Sequence, residues 1–442
     1  YGVPRDLHSF PTRRSSDLTV ELGIKPDFTL VHITNNGIFF TDIGDAPDNT
    51  LTIGRASDVN NFFVFAGSNA FVENNNTITI NTSVRFLNGT LIKTGSGTLN
   101  LNTETIIGEG DGVWQNILGG TLIFGGGGNP PLVDWASINK TNGGGTLDLR
   151  NVTDFDDNFE EVMTLPDTYN VGAGNVTLND QGPVVKTNAA PFIKTGNGTL
   201  SWGGGLAMNM SNDVIVAGGN LQVRSESNIF YLGNPAKFDG NIYVSNSATY
   251  WAISDFNANT QLGTTNGITS VQNSGQLRFQ NMTNNATYSE RITLNSARTD
   301  GSLYFDQAEV TLNGPITMGT NTIINVRMVN NLQRDATIAG TLDDGAESHD
   351  LFLIGQNGGQ QSTNFLGRGK LLLTGSNTYG GNTYITLRNE NATTLNVSNQ
   401  SMIVVLSNGN HRLPTSTTVF LGGNPSGRSE ERRVGKGCRS RW

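Results

Sequence analysis

Residues 92–101 read Ile-Lys-Thr-Gly-Ser-Gly-Thr-Leu-Asn-Leu, and residues 193–202 read Ile-Lys-Thr-Gly-Asn-Gly-Thr-Leu-Ser-Trp. Their shared ending, a glycine followed by an apolar-x-apolar run, returns along the chain. It stands at Gly97-Thr98-Leu99-Asn100-Leu101, Gly120-Thr121-Leu122-Ile123-Phe124, Gly145-Thr146-Leu147-Asp148-Leu149, Gly198-Thr199-Leu200-Ser201-Trp202 and Gly219-Asn220-Leu221-Gln222-Val223. Later copies are Gly275-Gln276-Leu277-Arg278-Phe279, Gly301-Ser302-Leu303-Tyr304-Phe305 and Gly369-Lys370-Leu371-Leu372-Leu373, with an isoleucine variant at Gly240-Asn241-Ile242-Tyr243-Val244. Five of the eight steps between successive glycines fall between 21 and 26 residues. The alternation puts both apolar side chains on one face of a strand and the intervening residue on the other. The glycine admits the backbone angles of a tight turn. One such strand cannot bury its apolar face alone, but stacked copies bury a continuous column. A period in the low twenties without helical spacing therefore predicts an all-β chain wound as a parallel β-helix, one coil per 21–26 residues. The competing architectures are an antiparallel sandwich, which needs no fixed period, and a propeller, whose blades take roughly 40–50 residues.

Composition agrees. The 442 residues include 55 Gly, and only 15% are charged. That excludes a coiled coil or a charged disordered chain, and abundant Gly and Asn disfavour long helices. No apolar run approaches the roughly 18 residues of a membrane-spanning helix. The two ends read differently from the middle. Residues 1–18 and 428–442 resemble conceptual translations of one sequencing adapter read on opposite strands, so the expected protein is residues 19–427. Without those ends, Lys and Arg number 19 against 33 Asp and Glu, and the net charge moves from −9 to −14. An acidic surface disfavours phosphate-backbone binding, so no nucleic-acid partner is expected. The single cysteine, Cys438, falls in the excluded end, which removes disulfides, thiolate metal sites and a cysteine nucleophile.

The longer motifs carry a family resemblance. To the two Lys-Thr-Gly copies the chain adds Gly369-Lys370-Leu371-Leu372-Leu373-Thr374-Gly375-Ser376-Asn377-Thr378-Tyr379-Gly380-Gly381-Asn382-Thr383-Tyr384-Ile385. Together these resemble the autotransporter-associated β-strand repeat, which joins a lysine-threonine-glycine opening, a glycine-threonine-leucine strand and an asparagine-threonine-tyrosine double-glycine turn. The third copy lacks the opening, and the first two lack the turn. The resemblance implies a right-handed β-helical passenger region of a large bacterial surface or secreted protein, structural or adhesin-like. Host, matrix or glycan surfaces would be its ligands, and any membrane anchor would lie outside this stretch. At one coil per 22–25 residues the expected protein makes about 17 coils, about 80 Å of solenoid. Asn-rich turns are expected to stack as side-chain amide ladders, and the regions near residues 19 and 427 to present unpaired edges.

Chemical motifs are sparse, and no catalytic, cofactor-binding or metal residue is expected. The glycine runs 125–128, 143–145 and 203–205 lack the Lys-Ser/Thr of a phosphate loop. Asp154-Phe155-Asp156-Asp157-Asn158-Phe159-Glu160-Glu161 starts like a calcium loop, but Phe159 stands where glycine is required. Gly108-Glu109-Gly110-Asp111-Gly112-Val113 matches half of a calcium nonapeptide that works only in stacked copies. For the alternative of a polysaccharide-binding or polysaccharide-cleaving β-helix, the candidate carboxylate pairs are Asp156-Asp157 and Asp343-Asp344. His32, His349 and His411 stand apart, with Glu347, His349 and Asp350 as the one mixed cluster. Trp114, Trp135, Trp202, Tyr231, Tyr250 and Trp251 could line a sugar-stacking groove, against the plainer expectation of interior packing.

Overall fold

The computed structural model describes residues 28–34, 37–42, 50–53, 62–65, 69–73, 77–80, 83–86, 90–101, 105–107, 114–124, 133–134, 145–149, 155–157, 163–172, 174–178, 184–186, 188–202, 210–225, 238–254, 262–282, 285–328, 334–357, 369–389, 402–407, 412–422 and 432–433. These hold strands and turns and no helix. The chain divides into two compact units, Tyr1–Ile138 with Gly145–Asn151, and Asn139–Gly144 with Val152–Trp442.

In the first unit the strands come in threes. Asn69–Glu73, Thr77–Ile80 and Ser83–Phe86 are followed by Thr90–Thr94, Thr98–Leu101 and Thr105–Ile107, then by Trp114–Ile117, Thr121–Phe124 and Val133–Asp134. Each strand pairs in parallel with the strand three places on: Asn69 lies opposite Thr90, Thr77 opposite Thr98, and Val84 opposite Thr105. Three parallel sheets, each taking one strand from every coil, define a parallel β-helix. Ile78, Leu99, Leu122 and Leu147 form an interior column with 3%, 1%, 0% and 0% exposure. The threonines preceding them, Thr77, Thr98, Thr121 and Thr146, stack on the outer face, where β-branched neighbours support one another.

The second unit repeats the plan over more coils. Its longest sheet runs in parallel from Phe155–Asp157 to Val419–Gly422. There Val176, Leu200, Leu221, Tyr250, Leu277, Leu303, Ile324 and Leu353 stack in register as one buried column. A second sheet stacks Phe192, Val214, Ile242, Thr269, Ile292, Ile316 and Leu342. The third stacks Tyr288, Leu312, Ile338, Leu373 and Leu406. Antiparallel pairing, among the described residues, is confined to two places. Phe28–Thr34 pairs with Gly37–Asp42, and Arg432–Arg433, within the stretch read as adapter-derived, pairs with Val419–Gly422.

The parallel β-helix expected from the period is therefore the fold, and every glycine-led copy is a strand. Two details differ. The isoleucine variant after Gly240 belongs to another sheet: Ile242 stacks between Val214 and Thr269, whereas the column above Leu221 continues at Tyr250. The coil length also ranges more widely than the expected 21–26. It is 21 residues from Ser201 to Gln222, 32 from Asp350 to Asn382 and 36 from Asn382 to Thr418. Extra residues enter between strands, where they leave the register intact. Residues 19 and 427 lie outside the described residues.

Replacing Leu277 by Ala is expected to lower the unfolding free energy by about 2–5 kcal/mol through the cavity left in the column. The outward Thr317→Ala should cost about 0.5 kcal/mol or less; denaturant titration of both variants checks the contrast.

Candidate functional site

The two Lys-Thr-Gly sequences turn corners between sheets. Lys93 and Lys194 end strands Thr90–Thr94 and Phe192–Thr195 and are fully buried. Lys93 Nζ donates to the carbonyls of Thr94, Gly95 and Gly119 at 2.7, 3.2 and 3.2 Å. Lys194 Nζ donates to those of Gly196, Gly198 and Gly218 at 2.9, 2.7 and 3.0 Å. An ammonium has three donors, and here two serve the lysine's own turn while the third reaches the next coil. Burial pushes Lys93 down to about 8 and Lys194 down to about 7, while the carbonyl cage favours the ammonium.

The cage has a second half one coil later. Gly95 and Gly196 turn with φ of 75° and 76°, and Gly120 and Gly219 with 66° and 58°. These are left-handed angles that glycine adopts without a Cβ clash. A Cβ at Gly120 would stand 2.8 Å from Lys93 Nζ, and one at Gly219 would stand 2.2 Å from the Gly198 carbonyl. The working motif is therefore the lysine turn plus a Gly-Gly pair, Gly119-Gly120 or Gly218-Gly219, stacked above it.

Where lysine is absent, other donors cap the corner. Asn246-Ser247 and Asn273-Ser274 each place two consecutive residues at positive φ. Arg298 Nη1 reaches the Ser247 carbonyl at 3.2 Å, Ser296 Oγ the Gly275 carbonyl at 2.7 Å, and Gln276 Nε2 the Gly301 carbonyl at 2.8 Å. The Asn-Thr-Tyr-Gly-Gly turn clamps three coils. Asn377 Oδ1 accepts from the Leu342 amide at 2.9 Å and its Nδ2 donates to the Arg412 carbonyl at 2.6 Å, each partner 35 residues away. Tyr379 is buried with its hydroxyl 2.5 Å from Thr383 Oγ1, and a Cβ at Gly381 would stand 2.2 Å from the His349 carbonyl.

The stacked turns form ladders of a different kind from the expected side-chain amide stacks, built from side-chain oxygen to the backbone amide of the next coil. Asn321 Oδ1 accepts from the Asp350 amide at 2.9 Å, Asp350 Oδ1 from the Asn382 amide at 2.7 Å, and Asn382 Oδ1 from the Thr418 amide at 3.4 Å. A second run joins Asp213 to the Asn241 amide and Asn241 to the Ile268 amide at 2.9 and 3.1 Å.

Of the candidate carboxylates, Asp343 and Asp344 fall into this same bonding. Asp344 is 5% exposed, and its Oδ2 accepts from the His349 and Gly380 amides at 2.9 and 2.8 Å. Asp343 Oδ1 accepts from the Gly345 amide at 3.2 Å in the exposed turn. His349 Nε2 lies 2.9 Å from Glu347 Oε2, while Asp350 belongs to the ladder. Asp156 and Asp157 sit in strand Phe155–Asp157 opposite Thr177 and Leu178. Asp154 and Asn158–Glu161, the stretch 108–113, His411, Trp135, Tyr231 and the glycine runs 125–128 and 203–205 lie outside the described residues, as do Gly143 and Gly144. His32 and Trp114 lie in strands Phe28–Thr34 and Trp114–Ile117.

Among the described residues, Trp202, Tyr250 and Trp251 form no shared groove. Trp202 and Tyr250 are fully buried, with Phe192 5.2 Å from Trp202. Trp251 faces outward, but the Arg278 guanidinium covers its ring at 4.6 Å and lies 4.9 Å from Tyr304. Arg278 also pairs with Asp306, which accepts from Arg327 Nη1 at 3.1 Å. Phe352, Tyr384 and Phe420 stack face to face at 4.6 and 4.7 Å. These rings present their faces to neighbouring coils.

Comparison with family models, curated proteins and solved structures finds no match to the chain.

Replacing Lys194 by Met should lower the unfolding free energy by about 2–4 kcal/mol, because it strands corner carbonyls in the interior. Lys370→Met, which removes only a half-exposed pair with Asp335, should cost about 1 kcal/mol or less. Thermal and denaturant melts distinguish the two.

Proposed function

We propose that the chain is a structural, adhesin-like passenger segment of a bacterial surface or secreted protein, a β-helical scaffold that displays the segments between its strands and carries no catalysis. The observation behind this reading is where the polar groups go. Lys93, Lys194, Asp344, Asp350 and Asn377 all bond to backbone groups of their own or adjacent coils, and Arg298 reaches a backbone carbonyl two coils back. That investment favours an extended stack over a reaction centre. The variable step, from 21 to 36 residues per coil, supports display, because length is added outside the paired strands. The resemblance to the autotransporter-associated repeat supports the extracellular setting, and the lysine cages and the Asn377 clamp give its motif residues physical work.

The test is incubation of the full chain with a panel of acidic and neutral polysaccharides and with immobilised matrix proteins. Saturable binding without product release is expected. Reproducible release of oligosaccharides, abolished by Asp343→Asn or Asp344→Asn in a folded variant, would overturn the scaffold reading in favour of a polysaccharide-cleaving β-helix.

A further inference from the structure

Glu290 closes the corner before strand Arg291–Asn295 and is only 2% exposed. Its Oε1 accepts from Thr269 Oγ1 at 3.0 Å, and its Oε2 has no hydrogen-bond partner. Thr269 is the polar member of the Phe192–Val214–Ile242–Thr269–Ile292–Ile316–Leu342 column, whose other positions are apolar. One further titratable group, Tyr250, interacts with the carboxyl from a second sheet, and Tyr288 of the third sheet interacts with Tyr250. Tyr250 is fully buried and held well above its ordinary range, first by burial and then by the charges of Glu290 and Tyr288. Tyr288 is 2% exposed and packs 5.3 Å from Phe279, which stacks on Phe305 at 5.6 Å. Each of the three sheets thus contributes a wall, and no cation pairs with Glu290 among the described residues.

A carboxylate with an unsatisfied oxygen in such surroundings is costly, whereas the neutral acid is far less so. We propose that Glu290 is a proton-held plug of the β-helix interior: as the acid it lets the coils around residues 249–294 close over it, and its ionisation opens them locally. Burial pushes Glu290 up to about 8, against the opposing pull of the Thr269 bond. The direction follows from linkage. The closed coil keeps the proton where the opened chain, near its ordinary 4.5, has lost it, so local stability falls as pH rises from about 4.5 to about 8 and is level above.

Native-state amide exchange of the full chain tests this. Once the intrinsic base-catalysed rate is divided out, the opening constant for amides in Thr249–Ser254, Ile268–Gln272 and Arg291–Asn295 should rise about tenfold per pH unit between roughly pH 5 and 8. In Glu290→Gln, which keeps the shape and cannot ionise, the same amides should show no such slope. A flat profile in the native protein, or an unchanged slope in Glu290→Gln, overturns the proposal. Should that variant fail to fold, carbon-13 titration of the native glutamate carboxyls decides. A buried resonance with a midpoint near 8 supports the plug, and a midpoint near 4.5 for every glutamate overturns it.

Discussion

A chain that winds into coils must turn corners, and at each corner backbone carbonyls leave the strand ladder without the partners a sheet would supply. Buried carbonyls need donors. This requirement organises the molecule more than strand formation does, since apolar alternation with a threonine or valine background makes strands readily. The lysine cages answer it most fully: one ammonium satisfies three carbonyls and fastens two coils. Arg298, Ser296, Gln276 and Asn377 answer it with other chemistry at other corners. The glycines beside these donors follow from the same constraint, because carbonyls converging on a buried donor leave no volume for a Cβ.

With the corners closed, the rest is repetition. The columns on Leu200 and Phe192 run through successive coils with a single side chain per coil, so packing is decided between nearest neighbours. The outer faces follow the same ladder logic. Arg278 lies against Trp251 and Tyr304, and Phe352, Tyr384 and Phe420 stack upon one another, so charge and aromatic surface are both used to align adjacent strands.

The strands were legible because their signal is local. Gly97, Gly120, Gly145, Gly198, Gly219, Gly275, Gly301 and Gly369 all stand at the head of strands, and the apolar residues that follow them point inward. What stayed hidden was non-local or used a different residue for the same geometry. Ala248-Thr249-Tyr250-Trp251-Ala252 continues the Leu221 column, yet its corner reaches positive φ through Asn246 and Ser247, so a glycine-anchored pattern passes over it and settles on Gly240. The cage of Lys194 could be seen as a recurring sequence but not as a bond, because one acceptor, Gly218, lies 24 residues ahead. Asp344 looked like half of a carboxylate pair, and its two amide partners come from His349 and from Gly380, 36 residues away. Glu290 gave no signal at all, since a lone glutamate after a serine is unremarkable until three sheets enclose it.

The Asn377 clamp bears on how such a stack would yield to force. Coils tied only to their immediate neighbours can peel away singly, each releasing its own length of chain. At Asn377 one side chain holds the coil below through Leu342 and the coil above through Arg412, so that junction resists in both directions at once. Drawn from the Arg412 side, the stack would therefore meet the asparagine-threonine-tyrosine turn at its first junction, a latch that must give way before the thread beneath it can unzip.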